Sequence, residues 1–135
     1  VGHDQLAPSL RHDPRIISME GLNARHITRA HIRDALDVIV CDVSFISLKL
    51  ALPQVLALAA DNASLIALIK PQFEVGRKSL GKGGIVRDDR LRQKIVEDIT
   101  VWLTDDMKWH VSGVIPSPVS GSDGNEEFLL HARKS

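Results

Sequence analysis

Short apolar runs alternate with helix-period patterns along most of the chain, and this alternation predicts an open α/β sheet. Residues 5 to 10 suit a short helix ahead of Asp13-Pro14, and residues 15 to 19 read as a strand. An irregular or helical piece over residues 28 to 35 follows. Asp37-Val-Ile-Val-Cys-Asp42 is apolar at consecutive positions, the mark of a parallel strand buried on both faces. Ser47 is placed to cap a helix running to about Ala60, because Leu48, Leu50, Leu52, Val55, Leu56 and Leu58 recur near helical spacing. Residues 63 to 69 predict a second buried strand, ending at Lys70-Pro71.

A glycine-rich basic loop over residues 76 to 87 leads to Asp88 or Asp89 as the cap of a long helix to about Leu103. Ile95, Ile99 and Leu103 give that helix an apolar stripe in steps of four. Residues 110 to 115 and 127 to 132 predict the last two strands. The turn between them, residues 120 to 125, is too short for a helical crossover, so these strands should pair antiparallel.

Composition narrows the class. A chain of 135 residues with 44% hydrophobic and 25% charged residues is one compact domain, which excludes collagen, long coiled coil and disorder. Seventeen Lys plus Arg balance seventeen Asp plus Glu, so any binding to nucleic acid must come from a local patch. The single cysteine, Cys41, excludes an internal disulfide and any multi-cysteine zinc site and fits a reducing compartment, so a cytoplasmic location is expected. The most apolar stretch, residues 48 to 69, is interrupted by Lys49, Pro53, Gln54, Asp61 and Asn62 and cannot span a bilayer as one helix. The opening Val1-Gly2-His3 reads as the interior of a longer protein.

Ligands of open α/β sheets bind beyond the carboxyl ends of the parallel strands, so polar residues that close apolar strands are the first candidates. Asp42 and Lys70 are two such residues, and neighbouring strands would put them on one rim. Glu127 stands just before Phe128-Leu-Leu, where an antiparallel closing strand starts at the same rim. The bland alternatives are a structural ion pair and an exposed turn carboxylate.

Gly76 to Gly83 has the spacing of a phosphate-binding loop, but Gly83 stands where Ser or Thr should hold magnesium and no helix follows at once, so the match is a decoy. Between Arg77 and Lys94, seven cations face two acids, a net of five positive charges suited to phosphate contacts or simply to solvent. No metal site is expected, since His26 and His31 are five apart and lack an acidic third ligand. Cys41 inside a buried strand is a packing residue. Phe45 and Phe73 follow the two rim residues and could stack on a base or pack in the core.

Together, Val40-Cys-Asp-Val-Ser-Phe-Ile-Ser47, Ile69-Lys-Pro-Gln-Phe-Glu74, Gly81-Lys-Gly-Gly-Ile-Val-Arg87 and Gly124-Asn-Glu-Glu-Phe-Leu-Leu130 resemble the TlyA family of FtsJ-like RNA 2'-O-methyltransferases, often labelled hemolysins. The resemblance covers essentially the whole chain. It implies a class I S-adenosylmethionine-dependent methyltransferase fold, a Rossmann-like sheet with an antiparallel closing strand. It also implies 2'-O-methylation of ribosomal RNA. Of the family's catalytic Lys-Asp-Lys-Glu tetrad, Asp42, Lys70 and Glu127 match the last three members.

Residues 1 to 135 are then a partial methyltransferase domain. The family's S4-like region, first tetrad Lys, glycine-rich cofactor loop and first two strands would precede it. Of the cofactor site, Asn23 would reach the adenine and Asp42 would border the methyl donor, while Arg77, Lys78, Lys82 and Arg87 would meet RNA. The isolated chain is accordingly expected to be inactive, to bind S-adenosylmethionine no better than about millimolar, and to self-associate or be marginally stable. Alternatives are a noncatalytic RNA-binding or assembly module and, with no membrane segment to support it, a membrane-active hemolysin.

Chemically, a sulfonium methyl is already activated, so the protein must align the 2'-hydroxyl and remove its proton. Lys70 could act as base given desolvation or a second cation nearby, with Asp42 and Glu127 orienting the partners. Asp-Val-Ser-Phe also differs from the Asp-Pro-Pro-aromatic clamp of amino methylases, which disfavours an exocyclic base nitrogen as target.

Overall fold

The computed structural model describes residues 2–135. Its elements in chain order are α1 (Pro8–Arg11), β1 (Leu36–Cys41), α2 (Leu48–Ala51), α3 (Pro53–Leu56), β2 (Ala59–Ile69), α4 (Pro71–Glu74), α5 (Asp89–Val101), β3 (Trp109–Pro116) and β4 (Phe128–Lys134). The four strands form one sheet in the order β1-β2-β4-β3. β1 and β2 are parallel, joined by the α2–α3 crossover, whereas β4 runs antiparallel to both β2 and β3. The carboxyl ends of β1 and β2 and the start of β4 therefore share one rim, with Ile69 paired to Phe128.

One face of the sheet carries the core. Ile39, Leu65, Ala67, Ile69, Leu130 and Ala132 point into it, and α5 closes it with Ile95 and Ile99. Asp88 starts α5 by accepting the Arg90 and Leu91 amides, and Asp89 adds an acid to the first turn, where the helix dipole favours it. Beyond Val101 the helix widens into a π-turn over Trp102–Asp106, which keeps Trp102 and Leu103 on the core side.

Five expectations need correction. Residues 15 to 19 form no strand: Ile17 is 79% exposed, and among the described residues no strand lies beside them to supply a ladder, without which an extended segment has little stability in water. β1 is buried on one face only, since Val38 and Val40 are 61% and 74% exposed and β1 forms the edge of the sheet. The single helix expected from Ser47 is two short ones. Pro53 starts the second, and the chain is already extended at Ala59.

Lastly, β2 begins earlier than its apolar pattern suggests. Its first residues bulge out, with Leu36 opposite Ala59 but Val38 opposite Ser64, and Asn62 takes φ +63° inside the bulge. The helical start at residue 5 likewise shifts to Pro8, which suits the first helical position.

Candidate functional site

The two short loops that leave β1 and β2 meet at the rim. Lys70 Nζ lies 2.6 Å from Asp42 Oδ1 and donates to Ser44 Oγ at 3.2 Å. The ammonium end is nearly covered while the carboxylate stays largely in solvent, so the pair is a hydrated acid facing a sheltered cation. Glu74 ties the same loops together from below. Its carboxylate accepts from Ser47 Oγ at 2.6 Å and from the Leu48 amide at 2.8 Å, which caps α2. Burial pushes the Glu74 carboxyl above its usual range, against the pull of these two donors.

Glu127 enters from the third side. It is 7% exposed, and its Oε2 accepts from Gln72 Nε2 at 2.9 Å. A Cβ on Gly121 would collide with the same carboxylate, so any side chain there displaces Glu127 from this position. Gln72 is 6% exposed, and its own carbonyl oxygen has no hydrogen-bond partner. Such a buried orphan acceptor costs about 1–3 kcal/mol.

These groups line one open cavity of about 270 Å³, bounded by Asp42, Ser44, Lys70, Gln72 and Glu127 on one side and by Ser117, Ser120 and Ser122 of the β3–β4 connection on the other. Sequence reasoning singled out Asp42, Lys70 and Glu127, and the structure brings all three to this cavity. It missed Gln72, Gly121 and the serines. The only signal for Gln72 was its place in the Lys70-Pro-Gln-Phe-Glu74 block.

Phe45 reaches the cavity wall through Phe73, which lines it. It is 80% exposed, its ring packs on Phe73 with centroids 4.9 Å apart, and its backbone takes φ +65°, an uncommon conformation for a bulky residue that accompanies functional loops. Exposure removes the core-packing reading for Phe45. Cys41 is half-buried just below, and burial with the Asp42 charge pushes its thiol up to about 11, so it stays protonated and inert.

The basic loop does not itself line the cavity. It leaves from α4 beside Gln72 and returns at Val86, where Asn125 pins it: Asn125 Oδ1 accepts the Val86 amide and Nδ2 donates to the Gly84 carbonyl. Asn125 is 2% exposed and is another residue the sequence reading did not single out. Arg77, Lys78, Lys82 and Arg87 are all exposed. Arg92, counted among the seven cations, is not available to a ligand. It is buried, donates to the Val86 carbonyl at 2.6 Å, and pairs with Asp89 and Glu126.

S-adenosylmethionine, the methyl donor that the resemblance implies, fits these residues poorly. Asn23 is exposed on the turn Ala24–His26, spends its side-chain oxygen on the Arg25 amide at 2.9 Å, and does not line the cavity that Asp42 lines. The cavity is smaller than the roughly 300–1,000 Å³ usual for small-molecule sites and is walled by the acid, base and serine groups just described. The described residues thus present an acceptor side without an enclosing cofactor side. Among them, no helix is long and apolar enough to cross a membrane.

Comparison with known proteins identifies the family. The chain is 43% identical over 133 residues to the 16S/23S rRNA (cytidine-2'-O)-methyltransferase TlyA of Mycobacterium tuberculosis, covering 98% of the chain and 49% of that protein. It is 42% identical to Hemolysin A of Brachyspira hyodysenteriae, covering 97% of the chain and 55% of the relative. A solved structure from Streptococcus thermophilus, provisionally called a hemolysin, superposes with a TM-score of 0.92 at 40% identity, covering 99% of the chain and 48% of that structure. The chain thus spans about half the length of these relatives. With the FtsJ-like methyltransferase profile matching residues 1–134 and a mixed α/β sheet of the same shape, the chain belongs to the FtsJ-like methyltransferase family.

Proposed function

We propose that the protein methylates a ribose 2'-hydroxyl of ribosomal RNA with S-adenosylmethionine as donor, and that this chain supplies the side that handles the RNA acceptor. The observation that carries the reading is the convergence of Asp42, Lys70 and Glu127 on one cavity. The cofactor's contribution is an electrophilic methyl group. The chain's contribution is to seat the hydroxyl and accept its proton.

Lys70 does the second task as a relay. Nζ can pass a proton to Asp42 Oδ1, 2.6 Å away, as it takes one from the hydroxyl, so the ion pair ends with one proton more and the ribose oxygen with one fewer. Glu127, held by Gln72, accepts from the hydroxyl or its neighbour and fixes the direction of attack. Phe45, exposed and packed on the cavity-lining Phe73, offers its ring to the base of the target nucleotide. Action on ribosomal RNA implies a cytoplasmic location. The test is to treat ribosomal RNA with the full-length protein and labelled cofactor and map the product. The methyl should reside on a ribose, giving an alkali-resistant dinucleotide. A methyl on a base nitrogen would refute the reading.

The same reading gives the basic loop a part. Arg77, Lys78 and Lys82 are exposed on a segment that follows α4 and is pinned by Asn125 at Gly84 and Val86. Replacing all three with Ala should weaken binding equally for unrelated RNAs and make log K fall less steeply with log salt, by up to about 0.7–0.9 for each phosphate no longer neutralised. A filter-binding salt titration reads this directly, and an unchanged slope means that the loop is merely solvated.

A further inference from the structure

We infer that Gln72 is a positioning residue that sets the orientation of the Glu127 carboxylate for the transfer step, with Gly121 as the opposing wall. The inference rests on the methyltransferase reading above and deepens it.

Two independent features point to it. The first is the orphan oxygen. Gln72 is buried, its Nε2 donates to Glu127 Oε2 at 2.9 Å, and its Oε1 has no partner. A side chain there only to fill space would do so more stably as Leu or Met, with no unsatisfied polar atom. A local violation of this kind marks a group retained for its one useful bond. The opposite amide orientation would set Oε1 against Oε2 of Glu127, oxygen facing oxygen, so the donor is fixed toward the carboxylate.

The second feature is steric. Gly121 has φ −76°, a value open to any residue, so backbone conformation does not explain the glycine. What explains it is that a Cβ there would collide with Oε2 and Cδ of Glu127. The carboxylate is therefore gripped between an amide donor from α4 and a bare Cα from the β3–β4 turn. Its third neighbour is the cavity where Lys70 and Asp42 wait. A carboxylate free to rotate would still bind RNA but would seldom direct the hydroxyl correctly.

The experiment compares Gln72→Leu, Gly121→Ala, Glu127→Gln and the double variant Gln72→Leu/Glu127→Gln in the full-length protein, measuring kcat, KM for RNA and melting temperature. Gln72→Leu should lower kcat about tenfold or more, as misplacement of a positioning group does. It should leave KM for RNA unchanged and lower the melting temperature, because the buried Glu127 carboxylate loses its donor, with recovery at least in part in the double variant, where that charge is absent. Gly121→Ala should reproduce the kcat loss from the other side. Adding Gln72→Leu to Glu127→Gln should cost nothing further, because Gln72 acts through Glu127.

An unchanged kcat in Gln72→Leu overturns the inference. So does a further loss of kcat in the double variant, or a melting temperature that falls further there, which would mark a purely structural glutamine. If Lys70→Ala retains full activity, the methyltransferase assignment of the site fails instead, and the two failures are told apart.

Discussion

Lys70→Ala in the full-length protein is expected to lower kcat for methyl transfer by about a hundredfold to ten-thousandfold, the usual worth of a positioned proton acceptor. Binding of S-adenosylmethionine and overall stability should stay nearly unchanged. The reason lies in what Lys70 touches. Nζ has two partners, Asp42 Oδ1 at 2.6 Å and Ser44 Oγ at 3.2 Å, and both belong to the loop that follows β1. Asp42 is 69% exposed, so losing its partner returns it to water instead of leaving a buried charge, and a pair of this kind contributes at most about 1 kcal/mol.

Lys70→Arg separates the two roles that a cation could have here. A guanidinium keeps the positive charge but does not give up a proton near neutral pH, so a relay stays broken while a purely electrostatic clamp is restored. Both variants should therefore be inactive in a tritiated-methyl assay at unchanged melting temperature. Recovery of activity in Lys70→Arg would show that the charge, and not the proton, is what the site needs.

The site was legible in sequence to the extent that it obeys a rule about strand ends. Asp42 and Lys70 close apolar runs that the structure makes parallel neighbours, and Glu127 precedes a strand whose antiparallel sense follows from the short turn before it. Gln72 and Gly121 obey no such rule. Each matters through a single tertiary contact with Glu127, 55 and 6 positions away, and neither residue type is unusual in its local context. Arg92 failed in the opposite direction, since a count of charges cannot see that one of them is buried under a loop.

Fold errors have a similar origin. Residues 15 to 19 have strand composition, but a strand exists only with a partner, and periodicity carries no information about partners. The bulge at the start of β2, with Asn62 at φ +63°, hid the true length of that strand behind a polar interruption at Asp61-Asn62.

The 135-residue chain on its own is expected to self-associate at micromolar concentrations and to bind S-adenosylmethionine no better than about millimolar, equivalent to some −4 kcal/mol. The uncovered face of the sheet carries Val38, Val40, Ile66 and Ile115, which are 61%, 74%, 44% and 58% exposed, and β1, which holds the first two, is the edge strand among the described residues. Apolar surface next to a free edge favours pairing with a second copy. Residues 15 to 19 do not move across to cover either. Placing lysines on this face, as Val40→Lys with Ile66→Lys, should convert the associated species to monomer in sedimentation equilibrium, because a charge on an edge strand opposes stacking and edge pairing alike. The cofactor should remain weak in both forms, since Asn23 and Asp42 do not share a cavity. A wild-type chain that sediments as a monomer and binds the cofactor at micromolar level in calorimetry would show that the open face is stable in water and that the acceptor side carries a cofactor site as well.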